Sequence, residues 1–203
     1  MFGNTAQVSS GRDTIILVRP NNSIFTLQNV SVDADGNLQY DLLQLDGALT
    51  NVSVHRGVAW GVGPYIQSGS NYEIWKADVA AAISGAREAG GPGYSWTEID
   101  NDVGITQIEV GEFGVFGTTD AGQIYYRVGT HNNSGSEGSS WQLLSGGLTH
   151  ITSGLHNAYG VNSDDNSVWQ MKENAFNEAT GEFDLNGLWI RLDGRTGNNI
   201  SAL

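Results

Sequence analysis

Four short polar segments of the sequence carry side chains well suited to hold a ligand. Each segment pairs a charged or planar hydrogen-bonding group with a neighbour, and the pairs are Arg12 and Asp13, His55 and Arg56, Glu112 and Phe113, and His156 and Asn157. Such groups form bidentate hydrogen bonds with hydroxyl-rich molecules, and an aromatic ring covers an apolar ligand face. We therefore predict ligand binding at these eight residues. The alternative is that they are solvated hairpin turns.

The sequence offers few patterns for catalysis or metal binding. It has no cysteine and no Gly-x-Ser-x-Gly motif, and its four histidines are not spaced as metal ligands. The segment from Asp33 to Asn37 has the acidic spacing that opens a calcium loop, but Gln44 stands where that loop requires glutamate, which favours a hairpin turn. We expect no catalytic residue, no metal and no cofactor. A glycoside hydrolase using paired carboxylates is the enzymatic alternative.

Charge and composition narrow the range of partners. The 203-residue chain has a net charge of −13, so nucleic acids and anionic membranes are poor partners. No segment is long and apolar enough to insert into a membrane as a helix. The absence of cysteine and of a basic, apolar leader favours a cytoplasmic protein, or one released without a recognisable signal peptide.

A fourfold internal repeat organises the sequence. Each copy has an aliphatic anchor, then a large apolar residue eight positions later, then a short third strand and a closing strand that begins with Trp in three copies. The anchors are Val8, Val52, Ile108 and Ile151, and the later apolar residues are Ile16, Trp60, Phe116 and Tyr159. The closing-strand residues are Leu42, Trp96, Trp141 and Trp189. Recurrence at this length is typical of proteins built from stacked supersecondary units.

The repeat predicts an all-β protein. Four short strands per copy, separated by turns rich in Gly, Asn and Asp, form one antiparallel sheet with two faces to bury. Packing the sheets around an axis buries both faces, so we predict a β-propeller of four blades in a single domain, residues 1–203. The repeats span residues 5–45, 49–99, 105–144 and 148–192, and we expect a closed ring in which residues 193–203 are a candidate closing tail. The repeated aromatics are expected to pack between blades.

The motifs resemble those of the tectonin family, which includes fish-egg lectins, a horseshoe-crab agglutinin and fungal tectonins. The residues that carry the likeness are Trp141-Gln-Leu-Leu-Ser-Gly-Gly-Leu-Thr-His-Ile-Thr, Val58-Ala-Trp-Gly-Val62 and Ile124-Tyr-Tyr-Arg127. The first copy lacks both the Trp and the Trp-Gly pair. The resemblance implies carbohydrate binding at several equivalent sites and, in some members, recognition of microbial surfaces.

Together these features predict a multivalent lectin that binds glycans or glycoconjugates on surfaces, with a role in defence. A propeller that serves as a protein-interaction scaffold is the main alternative, and homo-oligomerisation is compatible with either function.

Overall fold

A computed structural model describes residues 4–11, 14–69, 71–88, 95–155, 157–162 and 164–196, with the main chain alone for 67, 68 and 193–196. In this part of the chain, four four-stranded antiparallel sheets follow one another, one sheet per sequence repeat. The predicted all-β fold of four blades is confirmed.

The four sheets share one meander topology. The first sheet contains β1 (Gln7–Ser10), β2 (Ile15–Val18), β3 (Ser23–Val32) and β4 (Leu38–Ala48). The second contains β5 (Asn51–His55), β6 (Val58–Ser68), β7 (Asn71–Asp78) and, after helix α1 (Val79–Glu88), β8 (Trp96–Ile99). The third contains β9 (Ile105–Gly111), β10 (Gly114–Thr119), β11 (Ile124–Arg127) and β12 (Trp141–Leu144). The fourth contains β13 (His150–Ser153), β14 (Ala158–Val161) and β15 (Ser167–Met171), then the hairpin β16 (Phe176–Asn177) and β17 (Glu182–Phe183), and finally β18 (Trp189–Thr196).

The first strands of consecutive sheets lie side by side and are joined by side-chain amides. Gln7 accepts a hydrogen bond from Val52 N at 2.7 Å and donates one to Val52 O at 3.0 Å. Asn51 accepts from Ile108 N at 2.8 Å, and Gln107 bonds both main-chain groups of Ile151. The residue just before each anchor therefore pairs with the anchor backbone of the next repeat. This satisfies main-chain groups that an inner strand would otherwise leave unpaired.

Three apolar clusters join the sheets in sequence, first to second, second to third and third to fourth. The second, third and fourth anchors pack against the preceding sheet, so Val52, Ile108 and Ile151 are at most 1% exposed. The first anchor, Val8, has no preceding sheet among the described residues and is 57% exposed. Among the described residues, no apolar cluster joins the fourth sheet to the first. The expected packing of first on last blade is therefore not observed there, and the tail from 197 onward lies outside the described residues.

Each repeated Trp links its sheet to the previous one. The indole N–H of Trp96 donates to Asp46 O at 3.0 Å, that of Trp141 to Asp100 O at 2.8 Å, and that of Trp189 to Ser145 O at 2.7 Å. The first repeat, which follows no other described sheet, has Leu42 at this position. The repeated aromatics thus pack between blades, as the sequence predicts.

Helix α1 has ten residues and lies between β7 and β8. Asp78 accepts a hydrogen bond from Ala81 N at 2.9 Å and caps its N-terminus. Val79, Ala82 and Ala86 are buried in the cluster between the first two sheets, and this packing holds the helix in place. No helix in the described ranges is long and apolar enough to cross a membrane.

Candidate functional site

Two predicted binding turns meet between the second and third sheets. The Glu112 carboxylate lies 3.0 Å from His55 Nε2 and 2.7 Å from the Arg56 guanidinium. The hydrogen bond from His55 lowers the pKa of Glu112, and the positive charge of Arg56 lowers it further. Arg56 and Gly57 both have positive φ, as a tight two-residue hairpin turn requires. His55, Arg56 and Glu112 therefore form one polar cluster whose charges satisfy one another.

The other predicted binding residues are placed differently. Phe113 is 5% exposed and packs against Phe116, His131 and Phe183. Asn157 is also buried. Arg12, Asp13 and His156 lie outside the described residues. Of the eight predicted residues, the structure therefore brings three together.

A pocket of about 260 Å³ lies between the first and second sheets. It is lined by residues 46–49, Ile24, Tyr65, Glu73, Trp75 and Trp96. It opens near the turn between β6 and β7, whereas His55 and Arg56 lie at the turn between β5 and β6. Because successive turns of a meander alternate between the two ends of a sheet, the pocket and the His55–Glu112 cluster lie at opposite ends.

Strand register places the aromatic walls of the pocket. Ala77 on β7 pairs with Trp96 on β8, and Trp75 lies two residues before Ala77, so both indoles project from the same face of the sheet. Glu73 shares that face, and its carboxylate accepts a hydrogen bond from Trp75 Nε1 at 3.2 Å. A Cβ at Gly63 would lie 2.8 Å from the Glu73 carboxylate, so glycine at position 63 leaves room for this pair.

A β-bulge supplies the acidic rim of the pocket. The register of β3 with β4 shifts between Ser23 and Ile24, which leaves Asp46 and Gly47 as extra residues in β4. The Asp46 carboxylate accepts a hydrogen bond from Gly47 N at 2.8 Å, and the Gly47 φ of 85° suits glycine. An Asp-Gly step is typical of a turn, but in the structure β4 continues through this bulge. Tyr65, 65% exposed, stands at the mouth of the pocket.

Related residues recur at the next two junctions between sheets. The first junction has Asp46, Glu73, Trp75 and Trp96. The equivalent residues, in the same order, are Asp100, Gln123, Tyr125 and Trp141 at the second junction. At the third junction they are Ser145, Ser167, Trp169 and Trp189. At the second junction the Arg127 guanidinium lies 5.2 Å from the centre of the Trp141 ring. An aromatic pair is therefore present each time, and two carboxylates are present only at the first junction.

Sequence reasoning did not assign the pocket residues to a binding site. It assigned the repeated Trp to packing between blades, and the Asp46-Gly47 step is typical of a turn. The available signal was the acid at 73, which occupies a position held by Ser23, Gln123 and Ser167 in the other repeats. Glu73 lies two residues before Trp75 on the same strand face, and a charged side chain there differs from the uncharged residues of the other repeats. Such a difference indicates a role other than packing.

Other candidate sites have structural explanations. Asp33 accepts hydrogen bonds from the main chain of Asp35 and Asn37 and from Gln39, so its carboxylate holds the hairpin turn that the sequence predicts. These bonds lower its pKa. Among the described residues, no group of three potential metal ligands comes together. Phe176 and Phe183 pack against Tyr126, and Phe176 stacks on the His131 ring.

The four meander sheets, packed through their first strands and joined by interblade indoles, define a β-propeller with a pocket at a blade junction. The tectonin domain model matches residues 4–195, so the chain belongs to the tectonin family. No curated protein matches the chain by sequence.

Solved structures with the same fold are distant in sequence. The crystal structure of human WBSCR16 aligns with a TM-score of 0.62 at 10% identity, covering 100% of this chain and 56% of that one. Prp20p from Saccharomyces cerevisiae, whose structure was described with its binding to Gsp1p and histones, aligns at 0.53 and 12% identity, covering 84% and 46%. A chain of the nidogen/laminin complex aligns at 0.50 and 16% identity, covering 87% and 60%. The chain thus spans about half the length of these structures, and the likeness concerns the fold alone.

Proposed function

We propose that this chain is a carbohydrate-binding protein whose principal site is the pocket between the first two sheets. The observation that carries the proposal is the combination of Trp75, Trp96 and the exposed Tyr65 with the carboxylates of Asp46 and Glu73 in one cavity. A pyranose has an apolar face of C–H groups and a rim of hydroxyls. Aromatic walls with a few fixed polar groups match both features.

Membership of the tectonin family supports the proposal, because the family resemblance implies carbohydrate binding. The recurrence of an aromatic pair at three junctions adds a second argument. A single open site should bind weakly, but if the other junctions also bind, several sites on one rigid scaffold hold a surface that displays many copies of a glycan with much greater avidity. The expected partners are surface glycans, and recognition of microbial surfaces in defence would follow from such binding.

A glycan array with multivalent display, followed by calorimetry on the best ligand, tests the proposal. Tyr65→Ala removes an exposed wall of the pocket and should weaken binding at least tenfold. Ile66→Ala is the matched control, since Ile66 is 60% exposed beside Tyr65 but does not line the pocket. Absence of binding to every glycan, or equal binding by both variants, would reject the pocket as a sugar site.

A protein-interaction scaffold is a second candidate function. Val30, Val32 and Leu38 are exposed along the extended hairpin of β3 and β4, beyond the part of the first sheet that packs on the second. Exposed apolar residues on a projecting hairpin suit contact with another protein. Replacing all three with Ser should abolish a stable complex in pull-down without affecting sugar binding.

Hydrolysis of a glycoside is the remaining alternative, because two carboxylates line the pocket. Incubation of chromogenic glycosides with the wild type and with Glu73→Gln tests it directly. Turnover by the wild type that is lost in the variant would establish an enzyme. Binding without turnover supports a lectin.

A further inference from the structure

We infer that the pocket between the first two sheets selects sugars that carry a protonated amine. This inference rests on the proposed function and names its ligand class. Among the described residues that line the pocket, the charged side chains are Asp46 and Glu73, with no Lys, Arg or His. A ligand that enters the pocket therefore meets two negative charges and no positive one.

Three hydrogen-bond donors that line the pocket are already committed. Trp75 Nε1 donates to Glu73, Trp96 Nε1 donates to Asp46 O, and Gly47 N donates to the Asp46 carboxylate. Each carboxylate has two oxygens that accept several hydrogen bonds, so unused acceptor capacity remains on both. Apart from the Tyr65 hydroxyl, which both donates and accepts, the polar groups left to a ligand are these acceptors. They favour a ligand that supplies donors, and an ammonium group supplies three together with a positive charge.

The aromatic walls favour the same ligand. The face of an indole or phenol ring carries negative electrostatic potential, which attracts a cation placed over it. Trp75, Trp96 and Tyr65 surround the space beside the two carboxylates. An ammonium on a pyranose ring can contact a carboxylate while the ring covers an indole. A neutral N-acetyl group supplies one N–H donor and no positive charge, and the carboxylates offer no hydrogen to its carbonyl oxygen.

The second junction between sheets provides an internal contrast. Gln123 replaces Glu73 there, and the Arg127 guanidinium already lies over the Trp141 ring. A built-in cation thus occupies an aromatic face at the second junction. At the first junction we expect the ligand to supply the cation. Selectivity for an amine is therefore expected of the first junction alone.

Calorimetry with three matched tetrasaccharides tests the inference, using oligomers of glucosamine, of N-acetylglucosamine and of glucose at pH 6 and low salt. We expect the glucosamine oligomer to bind at least tenfold more tightly than either neutral oligomer and to lose affinity as salt rises. Glu73→Gln should reduce that preference to threefold or less while keeping the hydrogen bond from Trp75. Glu182→Gln, which removes the same charge at an exposed site on β17, is the control and should leave the preference unchanged.

The outcomes separate this inference from the proposed function. Equal or tighter binding of a neutral oligomer would overturn amine selectivity and leave carbohydrate binding intact. Absence of binding by all three oligomers and across a glycan array would reject both. Tetramethylammonium is tested in parallel, and binding as tight as that of the glucosamine oligomer would overturn the role assigned to the sugar ring. Thermal unfolding of each variant verifies that it is folded.

Discussion

The indole N–H of Trp96 in the second sheet donates to the main-chain carbonyl of Asp46 in the first, at 3.0 Å. The same bond recurs from Trp141 to Asp100 and from Trp189 to Ser145. One indole at each of the three junctions thus links adjacent blades. At the first junction it also forms one wall of the pocket, so blade packing and the proposed ligand site share a residue.

Trp96→Phe tests the contribution of this bond to stability. Phe keeps an aromatic ring but has no N–H, which leaves the Asp46 carbonyl without its partner. We expect a loss of about 1 kcal/mol in the free energy of unfolding, measured by urea denaturation. Trp75→Phe is the comparison, because the Trp75 N–H bonds Glu73 within its own strand, and it should cost less. A larger loss for Trp75→Phe would contradict the interblade role of Trp96.

Substitution of equivalent anchors tests how the sheets are arranged. Val52 is buried against the first sheet, whereas Val8, at the same repeat position, is 57% exposed. Val52→Ala should cost about 2 kcal/mol of unfolding free energy, because it removes two buried methyl groups and leaves a cavity. Val8→Ala should change stability by less than about 0.5 kcal/mol. Equal losses would mean that another blade covers Val8 in solution.

The repeat made the fold predictable because packing residues recur. The anchors and the Trp residues have the same neighbours at each junction, so their type and spacing encode blade order directly. The exposure of Val8 was not predictable, because Val8 has the same side chain as Val52. What differs is the presence of a neighbouring sheet, which a single repeat does not specify.

The geometry of the candidate site could be predicted only in part, for a physical reason. Arg56 and Glu112 lie in turns and His55 ends β5, and their mutual contact arises from how consecutive sheets pack. Phe113 follows Glu112 in the same turn, yet it points into the aromatic cluster with Phe116 and Phe183. The direction of a side chain in a turn depends on local φ and ψ. Residue type alone leaves that direction open.

Gly61 is the subject of a third prediction. A Cβ at this position would lie 2.5 Å from Leu49 Cδ1 and 3.0 Å from the Asn51 carbonyl oxygen. Gly61→Ala should therefore cost about 1–3 kcal/mol through overpacking. Gly135→Ala is the control, since its nearest neighbour would be 3.8 Å away, and it should be close to neutral.

The first repeat suggests which second substitution would relieve the overpacking expected of Gly61→Ala. In the second repeat the large residue is Leu49 and the small one is Gly61. In the first repeat the equivalent positions hold the smaller Thr5 and the larger Leu17. Leu49→Thr combined with Gly61→Ala should be less destabilised than the sum of the two single variants, as measured by a double-mutant cycle. Strict additivity would show that the two side chains do not compete for the same space.

Glu109 on β9 gives the last prediction, which concerns pH. Its carboxylate lies among the first strands of three sheets and is hydrogen-bonded by Ser53, Thr152 and the main chain of Ser153. Burial raises the pKa of Glu109 to about 7, against an ordinary value of 4.5, and the hydrogen bonds only partly oppose this. Between these two values the folded chain keeps a proton that the unfolded chain releases. Stability contributed by Glu109 is therefore fully present below pH 4.5 and is lost as pH rises through about 7.

We expect Glu109→Gln to remove this dependence, because its neutral amide does not titrate. The difference in unfolding free energy between variant and wild type should shift by about 1–3 kcal/mol in favour of the variant between pH 5 and pH 8. The variant must be compared with the wild type at each pH, because other groups also titrate in this range. Burial lowers the pKa of His150, so the stability that this group contributes rises with pH at mildly acidic pH, opposite to that of Glu109. Asp33→Asn is the control. The pKa of Asp33 is lowered by hydrogen bonds from Asn37 and Gln39, which do not titrate, so the stability it provides is lost only as pH falls below the ordinary carboxylate range. Its difference curve should therefore be flat from pH 5 to 8. A flat curve for Glu109→Gln as well would mean that water reaches the Glu109 carboxylate between the blades.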